Sequence, residues 1–324
     1  MNHLQRYLTD EFTEDFQEGR ITRRDALKLI ASVTGSLIMA NSILAACAAP
    51  PEETQAVISP TEAMTATDLA PVEQPTATQA PTSSAPAEYG TVMPNDAAVI
   101  ASEIEIPSDI PPLMGYLARP ASVESAPIVL VCHENRGLTA HIQDVTRRFA
   151  KAGYVSLAVD LVSRQGGSAA VGESGVPGAL GNIDPDQFVA DFLAGWRYLQ
   201  GQPFAQADRV GMTGFCFGGG VTWLMAARMP ELRAAVPFYG PPPPLEEVPN
   251  IQAPVLAVYG GLDGRITGTI PSIEQAMLDN NKVYQKLIYP NADHAFNNDT
   301  GSRYNAEAAK DAWAQTLAWF ESYL

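Results

Sequence analysis

The chain has 324 residues, of which 46% are hydrophobic and 17% charged, a balance that supports a packed core and argues against disorder throughout. Its formal net charge is −16, which argues against nucleic-acid binding because that function needs clustered lysine and arginine. Its cysteines, Cys47, Cys132 and Cys216, are too few and too scattered for a disulfide framework or a metal site. We therefore expect no metal, no cofactor and no nucleic-acid partner.

The first predicted element is an export signal over residues 1–46. Twin arginines, Arg23 and Arg24, precede an uncharged run at 29–46 that ends in small residues before Cys47. This pattern resembles a twin-arginine signal ending in a bacterial lipobox, in which the cysteine is lipidated and becomes the mature N-terminus. The alternative is a transmembrane anchor, although Ser, Thr, Asn and Gly interrupt the run and make it a poor spanning helix. The pattern predicts an exported protein held by lipid on the outer face of the cell membrane or envelope, with no other membrane contact.

Residues 47–89 form the next predicted region. They are rich in Pro, Thr, Ala and Ser, a composition that cannot bury enough apolar surface to fold. We expect a disordered tether between the lipid and a folded domain.

Residues 90–324 are predicted to form one α/β domain, because short apolar runs alternate with amphipathic segments. An antiparallel edge pair is predicted from ASEIEIP and LMGYLARP, and buried strands from APIVLVCHE and YVSLAVDL. Further strands are predicted from DRVGMTGF, LRAAVPFYG, APVLAVYGGLD and KVYQKLIYP. Helices are predicted between them, and a last helix closes the chain. The result is a mostly parallel central sheet with helices on both faces. The irregular segment 164–183 is long enough to be a functional loop or cap.

Cys216 lies in the sequence Gly-Phe-Cys-Phe-Gly at 214–218. This matches the G-x-S-x-G nucleophile elbow of the α/β-hydrolase fold with cysteine in place of serine, and it has the required strand before it and helix after it. The glycines let strand and helix approach closely, and the helix N-terminus favours a thiolate. The alternative is a buried cysteine in a glycine-rich turn.

Two downstream residues complete the order nucleophile, acid, histidine that triads of this fold follow. Asp263 ends the strand APVLAVYGGLD, and His294, the only histidine after Cys216, ends the sequence KLIYPNADH. Asp293 is the rival acid, but it adjoins His294 and is expected to point elsewhere. The alternative for Asp263 is a surface turn.

Four motifs in order resemble the dienelactone hydrolase (carboxymethylenebutenolidase) family: VCHENRGLTAHIQDVTRRFAKAGYVSLAVDL, GFCFGGG, YGGLDGRI and YPNADHAF. The resemblance implies an α/β-hydrolase fold and a triad of Cys216, His294 and Asp263. It also implies that Glu134 contacts the cysteine and takes part in activating it when substrate binds. Otherwise Glu134 is a surface loop residue.

These residues predict a hydrolase that cleaves a lactone or a small carboxylic ester. Cys216 would attack the carbonyl, backbone N–H groups of Phe217 and Asn135 would hold the oxyanion, and His294 would move protons. The alternatives are a carboxylesterase or thioesterase of broader specificity and, in a different class, a non-catalytic solute-binding lipoprotein.

The sequence departs from the family at the positions whose arginines bind the substrate's carboxylate. The resemblance implies two arginines there, one of them four residues after the histidine, where this chain has Asn298. The other belongs to the segment after the strand YVSLAVDL, but residues 165–183 contain no arginine. Arg136, Arg164 and Arg303 are the nearby alternatives, and Arg136 is our candidate for substrate binding.

Two aromatic residues are further candidates for lining the substrate pocket. Tyr239 lies at the end of a predicted strand, and Phe296 comes two residues after the predicted catalytic histidine. Cys132 is expected to be a buried strand residue rather than a participant in the chemistry.

Overall fold

A single eight-stranded sheet lies at the centre of the part of the chain that the structure describes, a computed structural model covering residues 1–47, 89–108 and 111–324. Its strands are β1 (Val99–Ile106), β2 (Leu113–Pro120), β3 (Ala126–Cys132), β4 (Val155–Val159), β5 (Ala205–Phe215), β6 (Ala234–Phe238), β7 (Val255–Gly260) and β8 (Tyr284–Tyr289). They lie in the order β1-β2-β4-β3-β5-β6-β7-β8. β1 pairs antiparallel with β2 and β2 with β4, while the other neighbours are parallel. The predicted mostly parallel sheet with an antiparallel edge pair is therefore confirmed.

Helices precede the sheet and connect its strands. Within the described residues they are α1 (His3–Gln17), α2 (Arg23–Thr34), α3 (Leu37–Cys47), α4 (Ala140–Lys151), α5 (Ser168–Val171), α6 (Val176–Gly181), α7 (Pro185–Gln200), α8 (Phe217–Arg228), α9 (Gly264–Thr267), α10 (Ile270–Asp279) and α11 (Ala306–Tyr323). Two short 3₁₀ helices span Ser163–Gln165 and Leu245–Asn250. Most of the predicted tether, residues 48–88, lies outside the described residues.

The helices cover both faces of the sheet. α4 links β3 to β4 and α8 links β5 to β6, in opposite directions along the sheet, so right-handed crossovers place these helices on opposite faces. Phe149 of α4 packs on Trp313 of α11 with ring centroids 4.6 Å apart. Phe188 of α7 packs edge-on against Phe217 of α8 at 5.3 Å. The central strands are therefore buried on both sides, as their continuous apolar runs predict.

The segment 164–183 is more ordered than its sequence suggests. A 3₁₀ turn, α5 and α6 lie here in place of a long irregular loop. Gly166, Gly167 and Gly172 have positive φ angles and divide the segment into pieces too short to show helical periodicity. α6 contacts both α1 and α2. That the segment is a functional loop or cap stays a prediction.

The N-terminal helices pack against the α/β domain, which the sequence analysis did not predict. Leu4, Leu8 and Phe12 of α1 are at most 2% exposed. Burying side chains of this kind stabilises a fold by about 1.5–3 kcal/mol each. A Cβ at Gly178 of α6 would lie 2.7 Å from Cβ of Ser32, so glycine lets α2 approach closely. Among the described helices, α3 included, none has the length and hydropathy needed to cross a membrane.

Candidate active site

The predicted catalytic residues meet at the carboxyl edge of the sheet. Glu134 follows β3, Cys216 follows β5, Asp263 follows β7 and His294 follows β8. Parallel strands bring their carboxyl ends to one edge, where sites of open α/β sheets are found. All four residues are buried.

Cys216 lies on a sharp turn between β5 and α8. Its φ of 59° and ψ of −119° are strained for a residue with a side chain, as expected of a nucleophile elbow. A Cβ at Gly214 would lie 2.2 Å from the carbonyl oxygen of Gly218, so the turn closes only with glycine there. The Cys216 N–H donates to the carbonyl of Phe238 at 3.1 Å, which fixes the turn to β6.

His294 and Asp263 form the pair that the triad requires. His294 Nδ1 lies 2.6 Å from Asp263 Oδ2, while Asp263 Oδ1 accepts from the N–H of Ile266. Burial alone would raise the pKa of Asp263, but the hydrogen bond and charge of His294 and the charge of Arg265 lower it below its ordinary value. A ring nitrogen of His294 lies within 4.8 Å of Cys216 Sγ.

Asp293, the rival acid, has a different contact. Its Oδ1 accepts the backbone N–H of His294 at 2.6 Å. Since Asp263 already occupies Nδ1 of the imidazole, the geometry favours Asp263 as the orienting acid.

Two residues of α1, Tyr7 and Glu11, lie in the centre of this site. The Tyr7 hydroxyl is 3.1 Å from Cys216 Sγ and 3.2 Å from His294 Nε2. Both Glu11 carboxylate oxygens are 3.6 Å from Cys216 Sγ, and Oε1 accepts from Nδ2 of Asn135. Sequence reasoning missed both residues. The available signal was the helical spacing of apolar residues ahead of the twin arginines.

The Cys216 thiol is held in its protonated form. Burial raises its pKa well above the ordinary value, and the charges of Glu11 and Glu134 raise it further. Hydrogen bonds from the Tyr7 hydroxyl and the Phe217 N–H act in the opposite direction but are weaker. The predicted help from the helix N-terminus is therefore outweighed in this arrangement.

Glu134 is fixed by its neighbours at the end of β3. Its Oε2 accepts from Nδ2 of Asn298 at 2.7 Å, so the residue at the position of the family arginine binds this carboxylate. His133 Nε2 accepts from the N–H of Leu161, and its Nδ1 lies 2.7 Å from the Glu134 carbonyl oxygen, the pattern of a neutral imidazole. Burial raises the pKa of Glu134. Glu11, not Glu134, occupies the position next to the thiol.

A cavity of about 190 Å³ opens beside Cys216 and His294. Arg136 and Arg303 line it, together with Glu134. Arg164 lies elsewhere and pairs with Asp191 at 2.7 Å. A larger depression of about 520 Å³ lies beside β8 and α11, but its lining includes no cysteine or histidine.

Arg265, directly after the turn that carries Asp263, is a cation that sequence reasoning missed. Its Nε donates to Glu14 of α1 at 3.0 Å, and its guanidinium carbon lies 4.6 Å from the centre of the Tyr7 ring. Its Nη2 is buried with no hydrogen-bond partner among the residues described. Arg265 therefore places a positive charge against α1, whose Tyr7 and Glu11 lie in the site.

Tyr239 and Phe296 support the histidine loop. The Tyr239 ring lies 5.0 Å from the His294 ring and 5.5 Å from the Phe296 ring, and Phe296 is fully buried. Tyr239 and Ala295 both have positive φ angles, as Cys216 does. Backbone strain is thus concentrated at this edge of the sheet.

Within residues 1–47, 89–108 and 111–324, the donor atoms of Glu11, Cys216 and His294 lie close enough together, within 4.8 Å, to hold a metal ion. The Tyr7 hydroxyl already contacts two of them. The raised pKa of the thiol also opposes the thiolate form that a metal binds. That the protein uses no metal stays a prediction.

Comparison with known proteins extends the motif resemblance. Residues 113–324 match the model of the dienelactone hydrolase family. A candidate carboxymethylenebutenolidase from Methylorubrum extorquens is 35% identical over 252 residues, 74% of this chain and 87% of that protein. A candidate 2-oxo-3-(5-oxofuran-2-ylidene)propanoate lactonase from Bradyrhizobium is 33% identical over 223 residues, 65% of this chain and 90% of that protein.

A solved structure gives the same result. The crystal structure of a candidate dienelactone hydrolase from Klebsiella pneumoniae is 36% identical, with a TM-score of 0.66 over 70% of this chain and 100% of that one. The family match begins at residue 113, so α1, α2 and α3 lie outside it. The fold, the matched segment and the level of identity agree: this chain is a hydrolase that belongs to the dienelactone hydrolase family.

Proposed function

We propose that the protein hydrolyses a lactone or a small carboxylic ester through an acyl-enzyme on Cys216. The observation that carries this proposal is the hydrogen-bonded pair of His294 and Asp263 beside a cysteine on a strained elbow. Nucleophile, base and orienting acid in this relation are the parts that acyl transfer requires.

The reaction begins with proton transfer, because the buried thiol is protonated at rest. His294 donates Nδ1–H to Asp263, so its Nε2 lone pair accepts the thiol proton once the Tyr7 hydroxyl has left it. The sulfur attacks the carbonyl carbon, and the N–H groups of Phe217 and Asn135 stabilise the oxyanion. The imidazolium then protonates the leaving alkoxide. Water activated by His294 releases the acid and restores the thiol.

Glu134 has a part in controlling the nucleophile. Its negative charge raises the pKa of Cys216 and so disfavours ionisation of the thiol before substrate binds. A substrate that displaces or neutralises this carboxylate lowers that barrier to ionisation. Glu134 therefore couples the activation of sulfur to substrate binding.

The cations near the site favour a substrate with a negative group. Arg136 and Arg303 line the cavity, and Arg265 lies beneath the Tyr7 ring. A guanidinium binds a carboxylate through paired hydrogen bonds. The Bradyrhizobium relative is named for a lactone that bears a propanoate group, so a lactone carboxylate is the substrate class we propose.

A panel of substrates separates this function from the broader alternatives. We expect dienelactone, which bears a carboxylate, to be hydrolysed faster than simple lactones, p-nitrophenyl esters or thioesters that lack one. The panel is run on the chain and on Tyr7→Ala, which removes the hydroxyl that contacts both the sulfur and the imidazole. A preference for simple esters or thioesters would instead indicate a carboxylesterase or thioesterase. A non-catalytic solute-binding role is not favoured by the family match.

Asp263→Asn tests the triad directly. In the Tyr7→Ala background we expect kcat to fall by about 10⁴-fold, because the amide no longer holds the imidazole in the productive tautomer. Asp293→Asn is the matched control, since its side-chain oxygen can still accept the backbone N–H of His294. Equal losses in the two variants, measured by initial rates, would contradict the assignment of Asp263.

We also propose that the protein is exported and lipidated at Cys47, on the strength of the twin arginines and the Leu-Ala-Ala-Cys sequence. Cys47→Ser should abolish labelling by a radioactive fatty acid and release the protein from the membrane fraction. Ser42→Ala leaves both the twin arginines and the cysteine in place and serves as its control for lipid attachment. Persistence of the Cys47→Ser protein in the membrane fraction would contradict the anchor.

A further inference from the structure

α1 fills the space in which the proposed chemistry takes place. The Tyr7 hydroxyl contacts both the sulfur of Cys216 and Nε2 of His294, the atoms between which a proton must pass. Tyr7 is 4% exposed, so its ring is sealed into the site. A substrate carbonyl cannot reach the sulfur while this hydroxyl is there.

A second residue of the same helix occupies the position next to the nucleophile. Glu11 contacts Cys216 Sγ, and it also accepts a hydrogen bond from the side chain of Asn135, whose own N–H is the proposed oxyanion donor. Tyr7 and Glu11 are four residues apart and so lie on one face of α1. One helical face thus contacts the nucleophile, the base and the side chain of the residue that carries a proposed oxyanion donor.

The surface that receives this face is complementary to it in charge. Arg265 binds Glu14 and lies against the Tyr7 ring, and Arg303 lies 4.0 Å from Asp15. Two of the cations suited to an anionic substrate, Arg265 and Arg303, therefore lie against acids of α1.

The surface is also complementary in shape. A Cβ at Gly220 of α8 would lie 2.9 Å from Leu4, and one at Gly181 of α6 would lie 2.8 Å from Val33. Gln5 Nε2 donates to the carbonyl of Gly181. Glycine at these positions of α6 and α8 therefore leaves room for α1 and α2 to pack closely.

Resting on the function proposed above, we propose that α1 is an intramolecular inhibitor that keeps Cys216 inaccessible for as long as residues 1–46 remain attached. Arg23 and Arg24 stay exposed while α1 is bound, so the predicted export motif is available to a receptor in the inhibited form. Cleavage before Cys47 would remove the inhibitor together with the signal. The enzyme would then become active only after processing.

The test uses the full chain with two independent substitutions that expel the helix. Leu4→Asp places a charge in a buried contact of α1. Gly178→Val adds a side chain on α6 that would collide with Ser32 and push α2 away from the α/β domain. Gln17→Asp introduces the same charge at an exposed position of α1 and is the matched control. Circular dichroism and thermal unfolding establish that each variant is folded. The rate of Cys216 alkylation by iodoacetamide is followed by peptide mass spectrometry, beside the turnover of p-nitrophenyl acetate.

We expect alkylation of Cys216 to rise by at least about tenfold in both expulsion variants and to stay unchanged in Gln17→Asp, because reactivity scales with the population of the open form. Faster alkylation with faster turnover supports both inhibition and the hydrolase function. Faster alkylation without turnover supports the inhibitor and contradicts the proposed function. An unchanged alkylation rate in a folded expulsion variant overturns the inhibitor, whatever the turnover.

Discussion

At the scale of single residues, Cys216 is a nucleophile in surroundings that oppose its ionisation. Burial and two carboxylates raise the pKa of the thiol, while Asp263 keeps the imidazole oriented to accept a proton. A thiol in such a site is protonated at rest, so it becomes nucleophilic by transferring its proton to His294 during the reaction. The electrostatics therefore restrain the cysteine until a substrate changes them.

Glu11→Gln tests this electrostatic account. Removing one negative charge should lower the pKa of Cys216 in the docked form, so the midpoint of its thiolate ultraviolet absorbance against pH, taken as the difference from the same chain carrying Cys216→Ala, should move to lower pH. Glu231→Gln removes the same charge from an exposed position and should leave the midpoint where it is. A midpoint that fails to move in Glu11→Gln, or moves equally in both variants, would show that the Glu11 charge does not act on the thiol.

The triad residues could be predicted from sequence because each follows a strand, and the order of strand ends is fixed by the fold. Tyr7, Glu11 and Arg265 could not. Tyr7 and Glu11 come from a helix whose place against the domain depends on the shape of a distant surface. Arg265 is recognisable only once its partners on that helix are known.

At the scale of elements, the elbow between β5 and α8 determines where the sulfur lies. The strand and helix meet so closely that Gly214 touches the backbone of Gly218. The motif predicted this contact, since only glycine permits it. The segment 164–183 was harder to predict, because glycines divide α5 and α6 into turns too short to show a period.

Gly214→Ala should disrupt the elbow. Its methyl group would meet the Gly218 carbonyl at 2.2 Å, so backbone must shift, and we expect a loss of more than about 1 kcal/mol in the free energy of unfolding. Gly90→Ala is the control, because nothing lies within 4 Å of the added methyl group. Urea unfolding curves compare the two variants, and equal stability would mean that the turn relaxes without cost.

At the scale of the whole molecule, the N-terminal segment combines a predicted export signal with a surface that packs on the α/β domain. Residues 1–46 contain the twin arginines of the predicted signal and also the apolar face that packs on the domain. A sequence pattern is enough to predict the first, because an export signal is a local motif. It does not show the second, since an amphipathic helix does not specify which surface will bury its apolar face.

The most direct test of the account is to trap the acyl-enzyme. The Tyr7→Ala variant is incubated briefly with p-nitrophenyl acetate, quenched in acid and mapped by peptide mass spectrometry. We predict one acetyl group on Cys216 and no turnover in the same variant carrying Cys216→Ala. Acetylation at another residue, or turnover that survives Cys216→Ala, would contradict the claim that this sulfur is the nucleophile.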